Sequence, residues 1–225
     1  MSIFEWVGIL LVPLFIALVF YTIYGKLKIE RVSKGHPIDR EGRPNTALLV
    51  IDVQEDFTQG LWDEELLNEQ LQGINHLVKQ ADTNEIPVLT IRQTYQGWYT
   101  NFIVGLLGKG KGARNSKGLQ LDPRLKISTA TDMIKPYADA FSALQLDRVL
   151  AKQRVGRLIL AGLDGNFCIK ITALAALNRG FEVHIAEGAL LFMDHGKWVE
   201  TKNELIAMGV KVSPVHMDDL RVEAA

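Results

Sequence analysis

At 225 residues the chain is long enough to build one substantial domain around a real core. Its net charge of -1, from 25 basic and 26 acidic residues, supplies no global field for nucleic acid. A single cysteine, Cys168, excludes an internal disulfide and a paired-cysteine metal site, and it suits a reducing compartment.

The first element is a membrane span. "WVGILLVPLFIALVFYTIY", Trp6 to Tyr24, carries no charge and is about long enough to cross a hydrocarbon core as a helix. Trp6 stands at one end and Tyr21 and Tyr24 at the other, where interface-seeking aromatics belong. Pro13 would kink the helix, which a membrane span tolerates better than a soluble one. A cleaved signal peptide would need a basic leader and a small-residue cleavage site, and neither is present, so residues 1–25 read as an uncleaved anchor. Lys26, Lys28, Arg31, Lys34, Arg40 and Arg43 follow the span and no Lys or Arg precedes it. The excess of positive charge on that side predicts a single-pass protein with its main domain in the cytoplasm. Residues 26–45, with "KGHPIDREGRPN", read as a polar linker whose basic residues can rest on anionic lipid.

From Thr46 to the C-terminus strand and helix signals alternate. "ALLVID", "PVLTIR", "TDMIK", "RLILAG", "EVHIAE" and "VKVSPV" are strand-like runs, the third being the weakest. Helical spacing of apolar residues covers roughly Asp63 to Thr83, residues 167 to 179, and about 195 to 208 with Asp194 as its cap and Gly209 just past its end. Tyr95 to Leu119, between the second and third strands, reads as a glycine-rich, basic loop with Trp98, Tyr99 and Phe102. Within it "GLLGKGKG" from Gly105 imitates a phosphate loop but ends in Gly112 where Ser or Thr is required and follows no clear strand. Alternation of this kind gives an α/β domain with a parallel sheet and helices on both faces.

In such a sheet the carboxyl ends of the strands open into the ligand crevice. Asp52 ends the first strand, Lys135 ends the third, and Cys168 follows the fourth after a short loop. Taken singly, each has an ordinary structural explanation: a turn cap, a solvated loop lysine, a small core residue. Three reactive side chains at one edge are a different matter.

"LLVIDVQEDF", "MIKPYADAF" and "RLILAGLDGNFCIKITALAALNRGFEVHIAEGA", in that order, resemble the isochorismatase-like superfamily of cysteine hydrolases from about Thr46 to Val215. The resemblance implies a six-stranded parallel sheet between helical layers, with Asp52, Lys135 and Cys168 as catalytic residues. It also implies a cis peptide between Leu163 and Asp164, and an oxyanion hole from the backbone N–H groups of Asp164 and Cys168. A helix N-terminus and Lys135 would favour a Cys168 thiolate, Asp52 would carry the proton, and an acyl-type intermediate on sulfur would be released by water. Phe57, Trp62, Trp98 and Phe167 are candidate pocket walls. The loop from Tyr95 borders the active site in this family, as a lid or an oligomer contact, and a homo-oligomer is expected.

The nucleophile turn departs from the family pattern. It reads "DGNFC" where small-Thr-Asp/Asn-x-Cys is usual, and the Asp164 carboxylate would raise the thiol pKa unless it points away or is paired. Asn166 keeps the position expected to cap the following helix. Nicotinamidase relatives carry an Asp and two His after the second strand as a zinc site. The matching "IRQTYQGWYTN" has no His, and His36, His76, His184, His195 and His216 are scattered without ligand spacing. The reading is therefore a membrane-anchored cysteine hydrolase of a small amide or related C–N bond, using no metal or other cofactor and no nucleic acid. Two alternatives stay open: a vinyl-ether hydrolase of the isochorismatase type, for which Cys168 is dispensable, and a catalytically silent, tethered binding module.

Overall fold

The computed structural model of the chain describes residues 3–213. Six strands, β1 (Asn45–Ile51), β2 (Val88–Gln93), β3 (Thr131–Lys135), β4 (Val155–Leu163), β5 (Glu182–Leu191) and β6 (Lys211–Ser213), form one all-parallel sheet in the order β3-β2-β1-β4-β5-β6. Strand β1 shows why both faces are covered. Ala47, Leu49 and Ile51 point into one core and Leu48 and Val50 into the other, and all are fully buried.

Helix α1 (Ile3–Ile29) precedes the sheet, and a single turn, α2 (Glu55–Thr58), follows β1. Helix α3 (Glu64–Thr83) fills one layer with Leu67, Leu71, Ile74, Leu77, Val78 and Ala81. Asp63 caps it by accepting from the N–H groups of Glu65 and Leu66, at 3.0 and 3.1 Å. The opposite layer is made by α5 (Leu146–Lys152), α6 (Lys170–Asn178) and α7 (His195–Ala207), through Leu146, Leu150, Ala173, Ala176, Trp198 and Leu205. Asp194 caps α7, accepting from Lys197 N at 3.0 Å.

Three features differ from the expectations. The segment at Tyr95–Leu119 is not a loop throughout, because Trp98–Leu107 forms helix α4. The helix expected over 167–179 opens with a wide π-type turn, Gly165–Ile169, in which Ile169 N donates to Asp164 O at 3.0 Å, and only then becomes α6. The segment after the apolar helix does not hang free. Helix α1 runs on to Ile29; Ile29, Val32 and Ile38 pack on the core; Ser33 N donates to Asp139 Oδ2; and Ile38 N donates to Arg179 O. Pro214 and Val215 of the sixth strand-like run lie outside the described residues, as does His216.

Helix α1 is the one helix among the described residues long and apolar enough to cross a membrane. Its window from Leu11 to Ile29 has a mean hydropathy of 1.5, and no residue of that window is fully buried.

Candidate active site

The order of the sheet reverses between β1 and β4, so their carboxyl ends flank the crevice where open α/β sheets take ligands. Asp52 leaves β1 in the left-handed region, at φ 57°, a conformation Asp tolerates better than most side chains. Its N–H is held by Ile91 O and its carbonyl by Gln54 N, both at 2.8 Å. Beside it, Gly162 has φ +114°, and a Cβ there would stand 2.1 Å from Ile51 O. Only glycine lets β4 pass β1 this closely just before the cysteine turn.

Asp52, Lys135 and Cys168 come from three separate elements and meet in one buried cluster. The Lys135 ammonium lies 2.9 Å from Asp52 Oδ2 and 3.4 Å from Cys168 Sγ. It also donates to Gln93 Oε1 at 2.8 Å and to the carbonyls of Tyr137 and Ala138 at 3.1 Å. Burial pushes Lys135 down, but the charge and hydrogen bond of Asp52, together with those of Cys168, raise it further than burial lowers it and hold the ammonium protonated. Burial pushes the Asp52 carboxyl up against the pull of that ammonium, which makes it a stronger base than a surface carboxylate. Asp52 Oδ1 is buried with no hydrogen-bond partner among the described residues, so a proton acceptor is left open.

The surroundings of Cys168 disfavour the expected thiolate. Burial first, then the Asp52 charge, pushes the Cys168 thiol well above its ordinary range, and Lys135 opposes this too weakly. The ammonium lies closer to Asp52 than to sulfur, and the helix start expected to help is replaced by a π-type turn. These surroundings favour the thiol form of Cys168.

The Leu163–Asp164 peptide is cis, as the resemblance implied. Asp164 does not confront the sulfur. Its Oδ1 accepts from Asn166 N at 2.7 Å and its Oδ2 from Met193 N at 3.3 Å. Asp164, not Asn166, therefore caps the turn, while Asn166 Nδ2 donates to Asp194 O at 2.9 Å.

Asp52 and Cys168 of this cluster line a pocket of about 170 Å³. That is below the roughly 300–1,000 Å³ of drug-sized ligand sites, and it suits a small substrate. Phe57, Trp62 and Phe167 line it as expected, with Leu61, Tyr95 and Met193 completing the apolar wall. Trp98 does not; it is exposed on α4, because the chain turns outward after Tyr95. Gln93 also lines the pocket and was missed, although it ends β2 at the same sheet edge that singled out Asp52 and Lys135. Its Oε1 is engaged by Lys135, and its Nε2 is buried without a partner among the described residues. Gln54 clamps the Gln93 backbone from both sides: its Oε1 accepts from Gln93 N at 2.6 Å and its Nε2 donates to Gln93 O at 3.1 Å.

A model of the isochorismatase domain matches residues 46–216 of the chain, about three-quarters of its length. The chain belongs to the isochorismatase family. An isochorismatase family protein from Desulfovibrio vulgaris superimposes with a TM-score of 0.69 and 22% identity, covering 78% of this chain and 97% of that one. Pyrazinamidase of Pyrococcus horikoshii, solved in complex with zinc, gives 0.65 and 22%, over 76% and 99% of the two chains. N-carbamoylsarcosine amidase from Thermoplasma acidophilum gives 0.66 and 18%, over 76% and 96%. The protein is thus an isochorismatase-like hydrolase by family and by fold.

A zinc ion does not fit this pocket. At the end of β2, where the family resemblance implies zinc ligands, this chain offers Gln93, whose carbonyl oxygen is taken by an ammonium, and Tyr95. Burial, with the neighbouring Cys168 and Asp52, pushes the Tyr95 phenol up to about 12, so it stays neutral and ligates poorly. Among the described residues no three His, Cys, Asp or Glu stand close enough together to hold a metal.

Proposed function

We propose that the protein is a membrane-anchored cysteine hydrolase that cleaves a small amide or related C–N bond without a metal. The observation that carries this reading is the buried ammonium of Lys135, 2.9 Å from Asp52 Oδ2 and 3.4 Å from Cys168 Sγ, under a small apolar pocket. The thiol attacks the carbonyl carbon as Asp52 Oδ1 takes its proton, so a C–S bond forms while the C=O π pair moves to oxygen. Backbone N–H groups of Asp164 and Cys168 receive that oxyanion. Collapse breaks the C–N bond, and the amine leaves with the proton held by Asp52. Water, deprotonated by Asp52, then cleaves the thioester, and the thiol recovers its proton. Lys135 remains charged throughout and keeps Asp52 oriented. The unpartnered Gln93 Nε2 is suited to donate to an acceptor on the substrate.

Of the two features that favour the silent module, Asp164 and the altered nucleophile turn, Asp164 is aimed at two backbone N–H groups instead of at the sulfur. Helix α1 serves as the anchor in this reading, with the basic residues after it keeping the hydrolase domain on the cytoplasmic side.

The test is a hydrolysis screen of the purified full chain over small amides, ureas and carbamates, reading released ammonia or amine. Activity lost in Cys168→Ala supports the mechanism. Activity retained in that variant rejects the covalent route through Cys168, and inactivity on every substrate rejects the amidase reading.

A further inference from the structure

Helix α4 carries Trp98, Phe102 and Leu106 at four-residue spacing, and they are 79%, 59% and 67% exposed. That spacing puts them on one face of the helix. Three large apolar side chains in one exposed stripe need a partner of their own. On its other side α4 touches the anchor. Tyr99 is buried, its ring meets Tyr21 edge-on at 4.4 Å, and its hydroxyl hydrogen-bonds Thr22 Oγ1. Tyr21 and Thr22 belong to the last apolar turn of α1, just before Lys26 and Lys28. In a spanning helix this turn lies at the boundary between hydrocarbon and headgroups. The contact with Tyr99 therefore holds α4 at that depth. From Trp98 to Gly118 the chain has Lys109, Lys111, Arg114 and Lys117 and not one Asp or Glu, and Lys109, Arg114 and Lys117 are exposed.

We propose that α4 is a second membrane contact, with its Trp98–Phe102–Leu106 stripe seated in the interface and the basic residues after it on anionic headgroups. The proposal rests on the reading of α1 as a span. The consequence for the enzyme follows from how the chain returns. Gly112 N donates to Asp56 Oδ2 at 2.7 Å, Tyr95 N donates to Gly112 O at 2.9 Å, and Gly112 packs on the rings of Phe57 and Tyr95. The turn that ends α4 therefore rests directly on two walls of the active-site pocket, which brings the pocket close to the bilayer.

The test uses the full chain in vesicles of phosphatidylcholine and phosphatidylglycerol. Cys168→Ala removes the native thiol, and one cysteine is introduced by Phe102→Cys, Leu106→Cys or, as a control, Thr83→Cys. Thr83 ends α3 ahead of β2, at the opposite end of the sheet from α4. An environment-sensitive fluorophore on each is challenged with a lipid-borne quencher, and each preparation is washed with alkaline carbonate. The expected result is severalfold stronger quenching at positions 102 and 106 than at 83, in protein that resists carbonate. Equal quenching at all three sites in carbonate-resistant protein would overturn the α4 contact and leave the anchor standing. Release by carbonate would overturn the anchor, and the contact with it. Cross-linking between copies at position 102 without lipid quenching would make the stripe a seam between two chains and would also overturn the proposal.

Discussion

The cysteine in this site is more acidic without its proton acceptor than with it. Asp52 pushes the Cys168 thiol up by its charge, yet in the proposed mechanism the same carboxylate takes the thiol proton. The two roles separate in one variant. Asp52→Asn should speed iodoacetamide alkylation of Cys168 at neutral pH while turnover falls by roughly 10²–10⁴. In the wild type, alkylation should be slow near neutral pH and rise only above the free-cysteine range of about 8.5. Rapid wild-type alkylation at pH 7 that is indifferent to Asp52→Asn would show a resting thiolate and sink this account. Lys135→Met is a harsher change, because it leaves a buried carboxylate without its ammonium. It should lower stability by about 3–5 kcal/mol, read as a fall in Tm, and slow alkylation further.

At the scale of elements, the pocket wall is held by a clamp remote from the chemistry. Asp122 joins the segment before β3 to the chain after β1. Its N–H donates to Val53 O, its Oδ2 accepts from Thr58 Oγ1 at 2.6 Å, and its two carboxylate oxygens accept from Arg124 at 2.9 and 2.7 Å. Burial would push this carboxyl up, but Arg124 and Thr58 outweigh it and hold it at about 2. The sign follows from an unfolded value near 3.8. The folded form keeps the carboxylate ionised, so this stabilisation is complete above about pH 4 and drains away as pH falls toward 2. The shift corresponds to something on the order of 2 kcal/mol. Asp122→Asn should lower Tm at neutral pH and flatten the loss of stability between pH 4 and 2. A Tm profile parallel to wild type across that window would assign the acid sensitivity to other carboxylates.

For the whole molecule, helix α1 and the segment between it and β1 are tied to the sheet domain by contacts at both ends of residues 29–45. Ala138 N donates to Ile29 O at 3.1 Å and Asn45 N to Arg154 O at 3.1 Å. Fusion of a reporter after Ala225 should therefore report the side of the domain, and cytoplasmic signal is expected; a periplasmic or luminal signal would reverse the orientation. Metal use is a property of the same whole. Exhaustive chelation should leave turnover unchanged, since Gln93 and Tyr95 occupy the places where zinc ligands are expected. Activity lost on chelation and restored by zinc would mean that ligands lie elsewhere.

What the sequence determined by itself is what local pattern controls. Continuous apolar runs marked six strands, helical spacing marked α3 and α7 with Asp63 and Asp194 at their starts, and an uncharged stretch marked α1 as a candidate span. Topology then carried Asp52, Lys135 and Cys168 to one edge, because parallel strands share the end at which they finish. Short elements escaped: α2 and α5 have too few turns to display a period. Tertiary structure alone decided the rest. It turned Trp98 outward, aimed Asp164 at Asn166 N and Met193 N, brought Gln93 into the pocket, and set Tyr99 against the anchor. It also reversed the expected acidity of Cys168. A helix start and a nearby lysine can be read along the chain, but desolvation and the distances among Asp52, Lys135 and Cys168 exist only once the sheet has closed around them.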